Sequence, residues 1–200
     1  PPLAWKVDGL GGGDSAPSVA DGRILGMANR GSDEVVWALS ESDGRPLWVT
    51  RLGPAFEQSG FPQGKEGPAA TPTVDGERLY VMGLAGNVAC LKARDGALVW
   101  QRSLGDDFSA PLPTWSFRES PLVDGVRVVV TPGAAGATLV ALDKLTGKTT
   151  WKSAVPGDPK AAYSSAIAID LGAQRQYVQF TEKGVVGVAA KDGAFLWLYD

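Results

Sequence analysis

Ala141-Leu-Asp-Lys-Leu-Thr-Gly-Lys-Thr-Thr-Trp151 places a tryptophan four residues after a glycine. The same spacing returns at Gly44 and Trp48, at Gly96 and Trp100, and at Gly193 and Trp197. Glycine is 26 of the 200 residues, so four such coincidences have a chance of roughly 3 in 10,000, and an internal repeat is the better account. The flanks agree. Asp43, Asp95, Thr146 and Asp192 precede the glycines; Leu39, Leu91, Leu142 and Val188 stand nine before each tryptophan, and the small residues Ala38, Cys90, Ala141 and Gly187 ten before.

A second mark lies upstream in each unit. VADG ends at Gly22, VDG at Gly76 and Gly125, and a degraded IDLG at Gly172. Asp-Gly between alternating apolar runs is a hairpin signal, because glycine takes positive φ cheaply and aspartate bonds its own downstream backbone. Each unit therefore reads strand, Asp-Gly turn, strand, loop, strand, Asp/Thr-Gly turn, strand. The units are 15–53, 69–105, 118–156 and 163–200, and residues 1–14 read as the outer strand of a preceding unit, ending in a linker. Four antiparallel strands repeated every 46 to 52 residues predict one β-propeller blade per unit. A blade cannot bury both faces alone, so a tryptophan at a fixed place in each outer strand serves as a plug for the seam between neighbours.

Composition narrows the rest. The chain is 44% hydrophobic and 20% charged, with net charge −3, which is globular and too acidic for a nucleic-acid partner. Glycine and proline interrupt every candidate amphipathic helix, so long helices are not expected. No apolar stretch reaches the length of a membrane span. The chain begins Pro-Pro and ends inside an apparent strand, so both ends read as cut.

The string Ala141 to Trp151 resembles the tryptophan-docking motif A-x-D-x-x-x-G-x-x-x-W of the PQQ-like (quinoprotein-type, BamB-like) β-propeller repeat family. The third unit matches in full. Ser40 and Lys92 replace the motif's Asp in the first two units, Cys90 replaces its Ala, and the fourth unit has Gly187 and Ala189 at those places. The resemblance implies an all-β propeller in which Trp5, Trp48, Trp100, Trp151 and Trp197, with Gly44, Gly96, Gly147 and Gly193, are structural, each tryptophan bonding the adjoining blade. It further implies a ring of commonly eight blades, so that this chain is about half of one and its first partners are the remaining blades. An extracytoplasmic location follows from the resemblance alone.

Chemistry is sparse. There is no histidine and one cysteine, Cys90, which excludes Ser-His-Asp devices and an intrachain disulfide. Gly9 to Ser15, GLGGGDS, is followed by APSVADG, which cannot start a phosphate-binding helix, so it reads as a flexible linker. Asp33-Glu34 and Asp106-Asp107 read as solvated loop charges without calcium-loop spacing. Quinoprotein dehydrogenases of the resembled family hold PQQ on the axis against a Trp, often facing adjacent cysteines, beside a calcium ion. Neither cofactor nor metal is expected in this chain.

The linkers between units carry the candidate surface, because long loops on a rigid scaffold are where binding residues collect. From each tryptophan to the next unit's Pro72, Pro121 or Ala166 are 24, 21 and 15 residues. The candidates are Trp115, Arg118, Glu119, Lys160 and Tyr163, with Phe56, Glu57, Phe61, Lys65 and Glu66 in the first linker. Trp115 lies outside the repeat. It reads as part of a protein- or peptide-binding rim, or as a blade cap beside a solvated Arg118–Glu119 pair. Trp37, also off-register, reads as packing between blades. Two functions stand: a non-catalytic binding scaffold, and part of a PQQ-dependent alcohol or polyvinyl-alcohol-type dehydrogenase whose cofactor lies mostly outside these residues.

Overall fold

The structure, a computed structural model, describes residues 2–56 and 67–200. Among the described residues sixteen strands form four sheets, each a four-stranded antiparallel meander in sequence order. The first is β1 (Ser18–Ala20), β2 (Arg23–Arg30), β3 (Asp33–Ser40) and β4 (Pro46–Pro54). The second is β5 (Thr73–Asp75), β6 (Arg78–Met82), β7 (Asn87–Lys92) and β8 (Leu98–Ser103), followed by a short helix α1 (Leu104–Phe108). The third is β9 (Leu122–Asp124), β10 (Arg127–Val130), β11 (Leu139–Asp143) and β12 (Thr149–Ser153). The fourth is β13 (Ile167–Leu171), β14 (Gln174–Thr181), β15 (Gly184–Ala189) and β16 (Phe195–Tyr199). The architecture is about half of a β-propeller, and among the described residues no helix is long and apolar enough to cross a membrane.

Alternation along each strand sends successive side chains to opposite faces, and each face packs on a different neighbour. Leu25 and Met27 of β2 meet Leu79 and Val81 of β6 in one apolar cluster. Tyr80 and Met82, one step out of phase, join Val128 and Val130 of β10 in the next. Val129 and Ala141 then meet Tyr177, Val186 and Val188 of the fourth sheet. The core is thus a series of seams between sheets, which is why middle strands are apolar on both faces.

The tryptophans close these seams from one repeat to the next. Trp5, Trp48, Trp100 and Trp151 donate their indole N–H groups to the carbonyls of Glu41, Ala93, Lys144 and Ala190, at 3.1, 3.1, 3.0 and 3.3 Å. These acceptors occupy one register position in four successive sheets. The glycine each ring covers belongs to the following repeat: Trp5 lies on Gly44, Trp48 on Gly96, Trp100 on Gly147 and Trp151 on Gly193. At Gly147 φ is 70°, and a Cβ there would stand 2.7 Å from the Trp100 ring. Turn geometry and ring contact therefore both demand glycine.

Trp197 departs from this pattern. Its ring lies over Gly187 of its own sheet, and its N–H donates to Oε1 of Gln176, also in that sheet, at 2.9 Å. Trp37 lies over Gly26 of its own sheet and packs with Val7 and Leu10 of the N-terminal segment. The glycine-rich linker is pinned rather than loose. Gly12 exchanges backbone hydrogen bonds with Asn29 at 3.0 and 2.8 Å, and Asp14 N–H donates to Pro68.

Candidate functional site

Each meander turns alternately at two edges. The β1–β2 and β3–β4 type turns share one rim, and the β2–β3 type turns share the other with the linkers. The linker rim holds the sequence candidates. Ser116, at φ 63°, reverses the chain after Trp115, with Phe117 buried below it. The reversal leaves Trp115 43% exposed. Tyr163, from the following linker, is 44% exposed, and its hydroxyl accepts the Trp115 backbone N–H at 3.2 Å. Two aromatic residues far apart in sequence thus stand together on one edge. Arg118 is held beside them: its Nε donates to the Trp115 carbonyl at 2.6 Å and its guanidinium lies 3.5 Å from Asp14.

Glu119 is not a surface residue. It is buried, accepts the Thr131 backbone N–H, and lies 3.4 Å from Nε2 of Gln179 in the fourth sheet. Burial pushes its carboxyl up to about 7, against which the bonds from Thr131 act only in part. Alternation misleads here, because the residue precedes β9 and its side chain turns into the seam. Lys160 is exposed. Its backbone exchanges hydrogen bonds with Glu182 and lies against Gly133. Of the first-linker candidates, Phe56 is half-buried, while Glu57, Phe61, Lys65 and Glu66 fall outside the described residues.

Of the two acidic pairs, Asp106 and Asp107 are exposed, as expected, and the correction falls on Glu34. Glu34 is buried, bridges to the second sheet through the Leu84 N–H at 3.1 Å, and presses Oε2 against Gly83, where a Cβ has no room. Its carboxyl is also raised by burial. Asp107 bonds Arg102 at 2.6 Å and caps the Ser103 N–H, which holds its carboxyl below the usual range. A signal existed for Glu34, since it lies inside the apolar run EVVWAL rather than in the turn before it.

Cys90 is buried in the seam under Tyr80, its thiol pushed up to about 11 by burial. Among the described residues no three His, Cys, Asp or Glu side chains gather as a metal site.

Meandering four-stranded sheets, joined by a tryptophan laid on the next repeat's glycine, define a β-propeller built of PQQ-like repeats. The family model described as outer membrane protein assembly factor BamB matches residues 58–200, and the chain belongs to that family. It is 26% identical to outer membrane protein assembly factor BamB of Yersinia pestis, over 98% of this chain and 45% of that protein. It is 29% identical to quinohemoprotein alcohol dehydrogenase ADH-IIG of Pseudomonas putida, over 79% of this chain and 22% of that protein. The crystal structure of BamB from Moraxella catarrhalis superposes with a TM-score of 0.69 at 16% identity, covering 98% of this chain and 54% of that one. That structural likeness carries the fold. The chain spans less than half the length of the curated relatives it matches.

Proposed function

We propose that the chain is a non-catalytic propeller scaffold that binds a protein partner outside the cytoplasm, through the linker rim. The carrying observation is the Trp115–Tyr163 pair, exposed together and held by backbone reversal and the Arg118 bond. Rigid aromatics standing beside an arginine are the side chains that dominate protein interfaces. The relationship to a family described by its part in outer membrane protein assembly supports the same reading. The remaining blades of the ring are its other proposed partner, lying against the fourth sheet. A photo-crosslinking residue at position 115 or 163 should capture one discrete partner in cells. The same residue at position 126, on the opposite rim and 62% exposed, should not. Equal capture from both rims, or from neither, defeats the reading.

A second reading rests on the 29% identity to a quinohemoprotein alcohol dehydrogenase. On that reading the cofactor is held mostly by other blades, and the groups here fit it poorly. Cys90 is closed into a seam, Arg118 is bound to Trp115 and Asp14, and Lys183 bonds the Gly157 carbonyl at 2.6 Å. We therefore assign neither PQQ nor calcium to these residues. Titration with both while following tryptophan fluorescence tests this. Saturable micromolar quenching in physiological salt, lost on Trp115→Ala, would favour the dehydrogenase.

A further inference from the structure

On the opposite rim the first repeat differs from the two that follow it. In the second sheet Asp75 pairs with Arg78 at the mouth of the β5–β6 hairpin, and in the third Asp124 pairs with Arg127 at the corresponding place. Both carboxylates reach across a seam to a cation of the next sheet. Asp75 binds Lys144 Nζ at 2.6 Å. Asp124 takes a two-pronged contact from Arg175 at 2.8 and 2.9 Å and a hydrogen bond from the Tyr177 hydroxyl at 2.8 Å.

In the first sheet that register position is Ala20, opposite Arg23. The seam to the second sheet has no carboxylate there. What stands in its place is a cleft of about 530 Å³. It is bordered by Arg23, Arg78, Lys92 and Arg94 against Asp21, Glu77 and Asp95. The cations outnumber the acids. Asp95 is already engaged, accepting the Ala97 N–H within its turn at 3.1 Å. No salt bridge among the described residues joins any of the four cations. Arg23 shares its strand face with Leu25 and Met27, the face turned toward the second sheet. Its Nε is buried with no hydrogen-bond partner, as are those of Arg78 on the other wall of the cleft and of Arg127 at the same place in the third sheet, while one terminal nitrogen donates to the Asp21 carbonyl at 2.9 Å. A buried donor without an acceptor is costly, and a guanidinium is satisfied best by a planar carboxylate.

We propose that the cleft between the first and second sheets binds a carboxylate ligand, whose acid group takes the place that Asp75 and Asp124 fill in the next two seams. The cleft is of small-molecule size. A free dicarboxylic acid and the side chain of a glutamate in a peptide present the same group. The site is independent of the linker rim, and its failure would leave the proposed scaffold function untouched.

Calorimetric titration of the full chain in physiological salt tests it with three probes: glutarate, a blocked Glu-containing tetrapeptide, and glutaramide as the neutral isostere. Glutarate, the peptide or both should saturate, and glutaramide should not. Tenfold tighter binding of the peptide identifies a protein side chain as the source; the reverse identifies a free acid. Arg23→Gln should weaken binding at least tenfold. Arg94→Gln, in an exposed turn where folding is not at stake, should weaken it several-fold. Ala20→Asp supplies the missing carboxylate from the chain itself and should abolish binding while leaving the melting temperature equal or higher. Absence of binding by both acids at millimolar concentration would overturn the proposal, as would binding that persists in both Ala20→Asp and Arg23→Gln.

Discussion

At the scale of single residues, burial decides what a side chain does, and sequence spacing reveals burial unevenly. Trp151 stacks near Tyr177 and bonds the next sheet, so Trp151→Ala should cost about 3–5 kcal/mol. Trp197→Ala should cost clearly less, because that ring has only its own sheet to rest on. Equal denaturant midpoints for the two variants would contradict the difference. Gly147→Val should destabilise twice over, through positive φ and through collision with Trp100. The tryptophans and glycines were legible because they recur. Glu119 and Glu34 were not, since nothing local marks a carboxylate that turns inward to cap another sheet's backbone. Glu119 carries a testable pH dependence. Its folded-state value of about 7 lies above the ordinary 4.5, so the folded protein holds this proton more tightly than the unfolded chain does. The resulting stability is fully present below about 4.5 and is lost as pH rises to about 7, a change of roughly 3 kcal/mol. Glu119→Gln should flatten the profile between pH 5 and pH 8 in chemical denaturation. Parallel profiles for variant and wild type would show that the group does not titrate in this window.

At the scale of elements, the hairpins were readable and the partnerships between them only partly so. Asp-Gly and Thr-Gly turns announce four meanders because each turn needs a left-handed residue at a fixed place. Which glycine each tryptophan covers does not follow from spacing within a unit, since the partner lies one repeat away. The candidate rim was similarly half visible. Trp115 stood out by breaking the register, but its junction with Tyr163 depends on how two linkers of different length fold back over the same edge. Trp115→Ala combined with Tyr163→Ala should leave the melting temperature nearly unchanged, as expected for side chains this exposed. A loss comparable with that of Trp151→Ala would mark the pair as a structural cap instead of a binding surface.

At the scale of the whole molecule, the fourth sheet presents a face left unpartnered among the described residues. Ile167 is paired with Val178, Phe180 with Val185 and Val185 with Tyr199, so these side chains share one side. Ile167, Phe180 and Tyr199 are each more than half exposed. A face of this kind needs a neighbour. The 200-residue chain should therefore self-associate, and Phe180→Lys with Ile167→Lys should return it to a monomer in sedimentation velocity. A wild-type monomer at all concentrations would argue that the face is stable in water. The tryptophan seams have a directional consequence. Trp48 finds its acceptor 45 positions later, Trp100 finds its own 44 later and Trp151 39 later. A chain synthesised from its N-terminus thus finishes each of its first three blades with an indole still waiting, and only the arrival of the next blade locks the one before. Assembly acquires a polarity, like a zip drawn in one direction, and the nascent end is always the loose one.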